Sequence, residues 1–188
     1  MRYVLACLAA LFLAGCYESS EMLLDASQAR QPIKVGQDWK YGSGDSVYHA
    51  RLTPRADGWY DFAEARVDSD GTDGSWEQRT ALLNFLKNER GADIFIVGTW
   101  DEGEGTYLYG LVVVQPNGAW QSVVPNCDRF TAIGGWSDVD LAAAQKAFAS
   151  QTARGFDCFF RNAASLKRAM NHVVSAPGFW ERVAGKSL

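Results

Sequence analysis

Tyr107-Leu108-Tyr109-Gly110-Leu111-Val112-Val113-Val114, Pro116-Asn117-Gly118 and Trp120-Gln121-Ser122-Val123-Val124 together decide the fold. Aromatic and β-branched side chains fill both arms, and such side chains pack well on a pleated, half-buried surface. Between the arms, proline pre-sets one turn dihedral and Asn-Gly accepts positive φ, so the chain reverses in a hairpin. Working upstream, Asp101-Glu102-Gly103-Glu104-Gly105 is another turn, and Ile94-Phe95-Ile96-Val97 is a second β-branched run. Asn88-Glu89-Arg90-Gly91 connects that run to Ala81-Leu82-Leu83-Asn84-Phe85-Leu86. Periodicity alone leaves the latter open between strand and helix, and the hairpin signal makes it a strand.

The same grammar extends toward the N-terminus. Val47-Tyr48-His49-Ala50-Arg51-Leu52 places Tyr48, Ala50 and Leu52 on one face and His49 and Arg51 on the other. Pro54-Arg55-Ala56-Asp57-Gly58 is a turn, Trp59-Tyr60-Asp61-Phe62 opens the return strand, and Asp68 to Gly74 is a loop. Strands joined by tight turns pair with their neighbours, which gives an antiparallel meander of about six or seven strands. Its apolar face must be covered, either by curling into an open barrel or by packing helices. The C-terminal third supplies two or three helices. Ser137-Asp138-Val139-Asp140 starts one, with Leu141, Ala144 and Phe148 on its stripe. Asn162 caps a second, with the stripe Leu166, Ala169, Met170 and Val173 and a stop at Pro177, and Phe179, Trp180 and Val183 suggest a last turn or two. The predicted class is α+β.

The chain has 188 residues, and its first segment is of a different kind. Arg2 precedes an apolar run from Tyr3 to Leu13, which falls short of the roughly 20 residues a spanning helix needs. Leu13-Ala14-Gly15-Cys16 closes it, giving the charged start, apolar middle and small-residue cleavage site of an export signal. This resembles the lipobox of the bacterial lipoprotein class. The resemblance implies cleavage before Cys16 and lipid on the Cys16 sulfur and new α-amino group, including fatty acyl chains such as palmitate. It also implies a protein attached to a membrane without spanning it. In that class an aspartate after the cysteine commonly retains the protein at the inner membrane. Tyr17 stands there instead, so the implied place is the outer membrane, facing the periplasm. The expected organisation is therefore a signal peptide over 1–15, a lipidated N-terminus and tether over 16–31, and one domain over 32–188. Met22, Leu23, Leu24, Ala26 and Ala29 suggest a short helical turn within the tether, stopped by Pro32.

Net charge is -4, so a basic nucleic-acid-binding surface is disfavoured. Of four cysteines, the resemblance implies that Cys7 leaves with the signal and Cys16 takes the lipid. In an oxidising compartment Cys127 and Cys158 are expected to form a disulfide. Closing a loop of about 30 residues would stabilise the fold by about 3 kcal/mol.

The candidate chemistry is thin. Asp68, Asp70 and Asp73 offer oxygen ligands at short spacing, but in an EF-hand register Asp73 occupies the glycine position and Arg79 that of the bidentate glutamate. His49 and His172 lack the further ligands of a zinc site. Cys127 with His172 lacks the helix N-terminus that lowers a nucleophilic thiol's pKa, and no Gly-x-Ser-x-Gly elbow occurs. Asp101, Glu102 and Glu104 lie in a solvated turn. Glu64, flanked by Trp59, Tyr60 and Phe62, is the better candidate for a partly enclosed carboxylate, with an outward-facing strand residue as the default reading. Trp39, Tyr41, Tyr48, Trp59, Tyr60, Trp100, Tyr107, Tyr109 and Trp120 crowd the strand region, where they serve as core and cross-strand pairs or line a ligand cup. Tyr48, Trp59, Tyr107 and Tyr109 are the residues assigned to such a cup. No catalytic set, metal site or cofactor is predicted. The expected role is a non-catalytic interaction or structural one with an envelope protein as partner. The alternative is a small-ligand carrier or sensor using an aromatic-lined concave sheet, and an envelope enzyme comes third.

Overall fold

A computed structural model describes residues 17–43, 46–103, 105–123, 125 and 158–184. The expected signal segment with Cys16, the helix assigned to Leu141–Phe148, and Cys127 with its predicted bridge lie outside the described residues. Among the described residues nine strands form one sheet: β1 (Tyr17–Ser19), β2 (Gln37–Ser43), β3 (Ser46–Pro54), β4 (Tyr60–Val67), β5 (Asp73–Glu89), β6 (Ala92–Asp101), β7 (Thr106–Val114), β8 (Trp120–Val123) and β9 (Cys158–Phe159). Two helices follow, α1 (Ala163–Ser175) and α2 (Phe179–Ala184). Strands β2 to β8 pair consecutively and antiparallel, so the predicted α+β meander with C-terminal helices is the observed architecture.

The ambiguous Ala81–Leu86 run is strand. It lies in β5, whose first half pairs with β4 (Tyr60↔Ala81) and whose second half pairs with β6 (Leu83↔Val97). Its hairpin to β6 turns at Arg90 and Gly91, with φ of 52° and 80°. Positive φ at both central residues defines the tight turn whose twist matches that of the flanking strands. Helix α1 starts where the sequence places it: the Asn162 side chain accepts from Ser165 N–H at 2.9 Å. Leu166, Ala169, Met170 and Val174 form its buried stripe, and the helix stops at Ser175, short of Pro177.

The register sorts every strand into two faces. Tyr17, Leu82, Ile94, Ile96, Tyr109, Leu111 and Val113 point to one side, where the residue 22–24 segment, Phe160, α1 and α2 cover them. Ile33, Leu52, Tyr60, Leu83, Phe95 and Val112 point to the other, with Trp39, Phe62 and Trp120 packed against them. That second face is concave. Trp39 on β2 and Trp120 on β8 meet with ring centroids 5.2 Å apart. Six strand spacings would separate them by about 29 Å in a flat sheet, so the sheet curls until its two ends touch through side chains. No backbone pairing joins β2 to β8 among the described residues, and the sheet stays open.

The expected tether is part of the domain. β1 pairs antiparallel with β7 (Tyr17↔Tyr109) and parallel with β9 (Tyr17↔Cys158), and Tyr17 has no exposed surface. The predicted helical turn is present as a short 3-10 turn at Ala26–Gln28, capped by Asp25. Next, Ala29 bridges to Asn84 and Arg30 N–H donates to the Leu83 carbonyl at 2.9 Å, beyond the point where β4 leaves β5. The segment thus passes from the helix-covered face to the concave one, where Ile33 is buried against Tyr60. Polarity suggested a free linker because its anchoring runs through backbone groups and a few side chains distant in sequence.

Candidate functional site

The four residues assigned to an aromatic cup are divided between the two faces. Tyr48 shares its face with Ala50 and Leu52 on the concave side, while Trp59, Tyr107 and Tyr109 pack with the cluster under the helices. Tyr109 is a clasp. Its hydroxyl accepts from Leu23 N–H at 2.8 Å, donates to the Glu21 carbonyl at 3.0 Å and lies 2.8 Å from Ser19 Oγ. Gly98, opposite Tyr109 across β6 and β7, makes room for this: a Cβ there would stand 3.0 Å from the tyrosine ring and 3.1 Å from both Leu24 and Met22. Asn84 acts in the same way. Its side chain accepts from Asp25 N–H at 2.8 Å and donates to the Asp25 carbonyl at 2.9 Å, replacing a missing strand partner. Nothing in the local pattern marks Tyr109 or Asn84 for this role, because their partners lie 59 to 90 residues away.

The two titratable residues singled out as site candidates lie on opposite faces. His49 stands on the outer face of β3, and both of its ring nitrogens meet carboxylates. Nδ1 is 2.8 Å from Asp73 at the start of β5, and Nε2 contacts Asp38 on β2. Arg51 donates to the other Asp38 oxygen at 3.0 Å and lies 4.1 Å over the Trp76 ring. Asp38, then Asp73, hold the imidazole pKa above its ordinary value by accepting its protons. An imidazolium donating from both nitrogens has no lone pair for a metal and none with which to activate a nucleophile. This arrangement joins three strands, and its chemistry is that of a clamp.

Glu64 points into the concave side from β4, opposite Glu77 and diagonal to Arg79. Burial pushes its carboxyl pKa up, with Arg79 opposing the shift and Glu77 adding to it. Arg79 donates to Glu77 at 3.0 Å and approaches Asp101 at 4.0 Å. The hydroxyls of Thr99 and Thr106 face the same side, buried and without a hydrogen-bond partner. Glu64 can therefore hold a proton above the usual carboxylate range in a polar strip crossing β4 to β7. Asp101 was expected in a solvated turn. It is instead buried, and its side chain accepts from Gly103 N–H at 2.8 Å. Among the described residues no helix is long and apolar enough to cross a membrane.

The acidic loop is a closed turn. Gly71 N–H donates to the Asp68 carbonyl, Asp70 accepts from the Thr72 N–H and hydroxyl, and Asp73 serves His49. No group of three side chains among the described residues could hold a metal ion. His172 is exposed in the last turn of α1. A shallow cleft of ≈ 230 Å³ lies between the β5–β6 hairpin and α2. Its side chains are engaged with one another: Trp180 Nε1 donates to Glu89 at 3.2 Å, and the Arg90 guanidinium lies 5.3 Å over the Trp180 ring. Comparison of the chain with protein-family models, with curated proteins and with solved structures returns no match.

Proposed function

We propose that this chain is a lipid-anchored protein of the bacterial envelope, attached through Cys16, whose single domain acts by contact with an envelope protein partner. The observation that carries the reading is the junction between motif and fold. Leu13-Ala14-Gly15-Cys16 has the form of a lipoprotein processing site, and the next residue, Tyr17, is a fully buried strand residue. A protein cut before Cys16 keeps every residue of the described strands. The contact role is supported by the interior: Trp39, Trp120, Phe62, Tyr60 and Phe95 pack against one another on the concave face, where a carrier would hold its ligand.

Intact mass of the protein purified from membranes, with Cys16→Ser beside it, tests the anchor. The expected result is a diacylglyceryl-bearing Cys16 and its loss, with release from the membrane, in the variant. Crosslinking in living cells from the outer strand face and from α1 tests the role. Recurrent capture of one envelope protein is the expected outcome, whereas a co-purifying small molecule with no captured protein would favour the carrier.

A further inference from the structure

We infer that the seam where Trp39 meets Trp120 is a proton-operated joint, closed when His49 on the outer face and Glu64 on the concave face hold their protons and loosened when both have lost them. The joint belongs to the domain and works with or without a lipid anchor.

The seam is the least secured junction of the curl. Among the described residues β2 pairs only with β3, and it meets β8 through two perpendicular rings 5.2 Å apart, with no backbone ladder between the strands. The groups that hold β2 to the strands behind it therefore set how firmly the curl is shut.

On the outer face that group is His49, which links Asp38 on β2 to Asp73 at the start of β5, across β4. Holding both carboxylates takes a donor on each ring nitrogen. A neutral imidazole has one N–H and one lone pair, so after proton loss one carboxylate faces a lone pair and its link fails. The other charges on this face are Lys40, opposite His49 in the ladder, and Arg51, while β4 contributes Ala63 and Ala65. Both cations oppose the proton on His49. Arg51 keeps its bond to Asp38 when that proton leaves, so β2 is loosened and not detached.

On the concave face Glu64 stands in one row with Ala50 and Trp39. Among the described residues its carboxyl has no hydrogen-bond or ion-pair partner. The charges nearest to it are Glu77 opposite, Arg79 on the diagonal and Arg66 two residues along β4, and Arg79 is turned toward Glu77 and Asp101. An ionised carboxylate without a partner needs water, and parting the rings at the end of its row admits it. Burial moves Glu64 upward, and Asp38 followed by Asp73 moves His49 upward. Each therefore favours the closed form fully below its ordinary value of 4.5 or 6.5 and stops doing so as pH rises through the raised value. The two effects have the same sign.

The test is amide hydrogen exchange of the full-length protein at pH 4.5 and pH 9, each rate corrected for the exchange of an unstructured chain at that pH. Protection of residues 37–43 is expected to be about fivefold or more lower at pH 9, with a change below about twofold at residues 94–97 of β6. His49→Gln and Glu64→Gln should each keep part of that difference, and the double variant none of it. Equal protection at both pH values, an equal fall in β6, or the full difference in the double variant overturns the joint. A single variant that removes the whole difference overturns the joint action of the two groups. The native chain labelled with 5-fluorotryptophan gives a reading independent of those variants: the fluorine resonances of Trp39 and Trp120, assigned from Trp39→Phe and Trp120→Phe, should move together with pH. A Trp39 resonance that stays fixed from pH 4.5 to pH 9 overturns the proposal even if the histidine and glutamate variants fail to fold.

Discussion

Tyr109 shows how one side chain sets a boundary of this domain. Its hydroxyl engages Ser19, the Glu21 carbonyl and Leu23 N–H, so residues 19–23 lie along the sheet instead of leaving it. Burial pushes the phenol pKa up, and the hydroxyl stays protonated and able to donate throughout the neutral range. Removing it leaves a backbone donor and a backbone acceptor to find other partners in a half-buried place. Tyr109→Phe is expected to cost about 2 kcal/mol, read as a lower denaturation midpoint, with amide exchange accelerated at residues 19–25 before the rest of the sheet. A loss of stability spread evenly over the sheet would contradict the clasp. Trp59, Tyr48 and Tyr107 look equivalent to Tyr109 in composition, and only the register distinguishes them.

At the scale of elements, β2 is an edge strand held on its outer face by His49, Asp38 and Asp73. The shift of His49 is upward, so the clamp contributes its full stability below the ordinary histidine pKa of 6.5 and loses it as pH rises through the raised folded value. NMR titration of the His49 ring should give a midpoint above 6.5. Asp38→Asn should lower that midpoint more than Asp73→Asn does, since Asp38 is the stronger cause. The stability difference between the native chain and His49→Gln should shrink as pH is raised through that midpoint. A difference independent of pH would mean that the ring acts only by packing on Trp76, whose centroid is 5.1 Å away. The hairpin at Arg90 is a second element-scale device. Arginine accepts a left-handed φ there, a place that asparagine or glycine fills more readily, and its guanidinium then reaches Trp180 and joins β5–β6 to α2.

Over the whole molecule, the decisive event is the curl that brings Trp39 to Trp120. Each ring sits beside neighbours that any flat sheet would also provide, but their mutual contact exists only if the ends of the sheet meet. A double-mutant cycle with Trp39→Ala and Trp120→Ala should therefore return a coupling of about 1 kcal/mol. Additive effects would mean that the ends do not touch in solution.

By itself the sequence determined the elements. Period-two patterning from Tyr48 to Leu52, the Asn-Gly and Arg-Gly turns, the Asn162 cap and the stop before Pro177 are local signals, and each reads correctly because neighbouring residues determine backbone conformation and face. Glu64 and His49 were legible as the titratable residues to watch, since a carboxylate among aromatics and a histidine beside polar strand residues are visible in sequence. Only the tertiary structure decided which face each strand presents to which partner. It therefore decided that Tyr107 and Tyr109 back onto the helices, that His49 is pinned between Asp38 and Asp73, and that residues 17–31 belong to the domain. The physical reason is separation along the chain: those contacts join groups from 11 to 90 residues apart. Their energies appear only once strand order, register and curl have brought them within hydrogen-bonding distance.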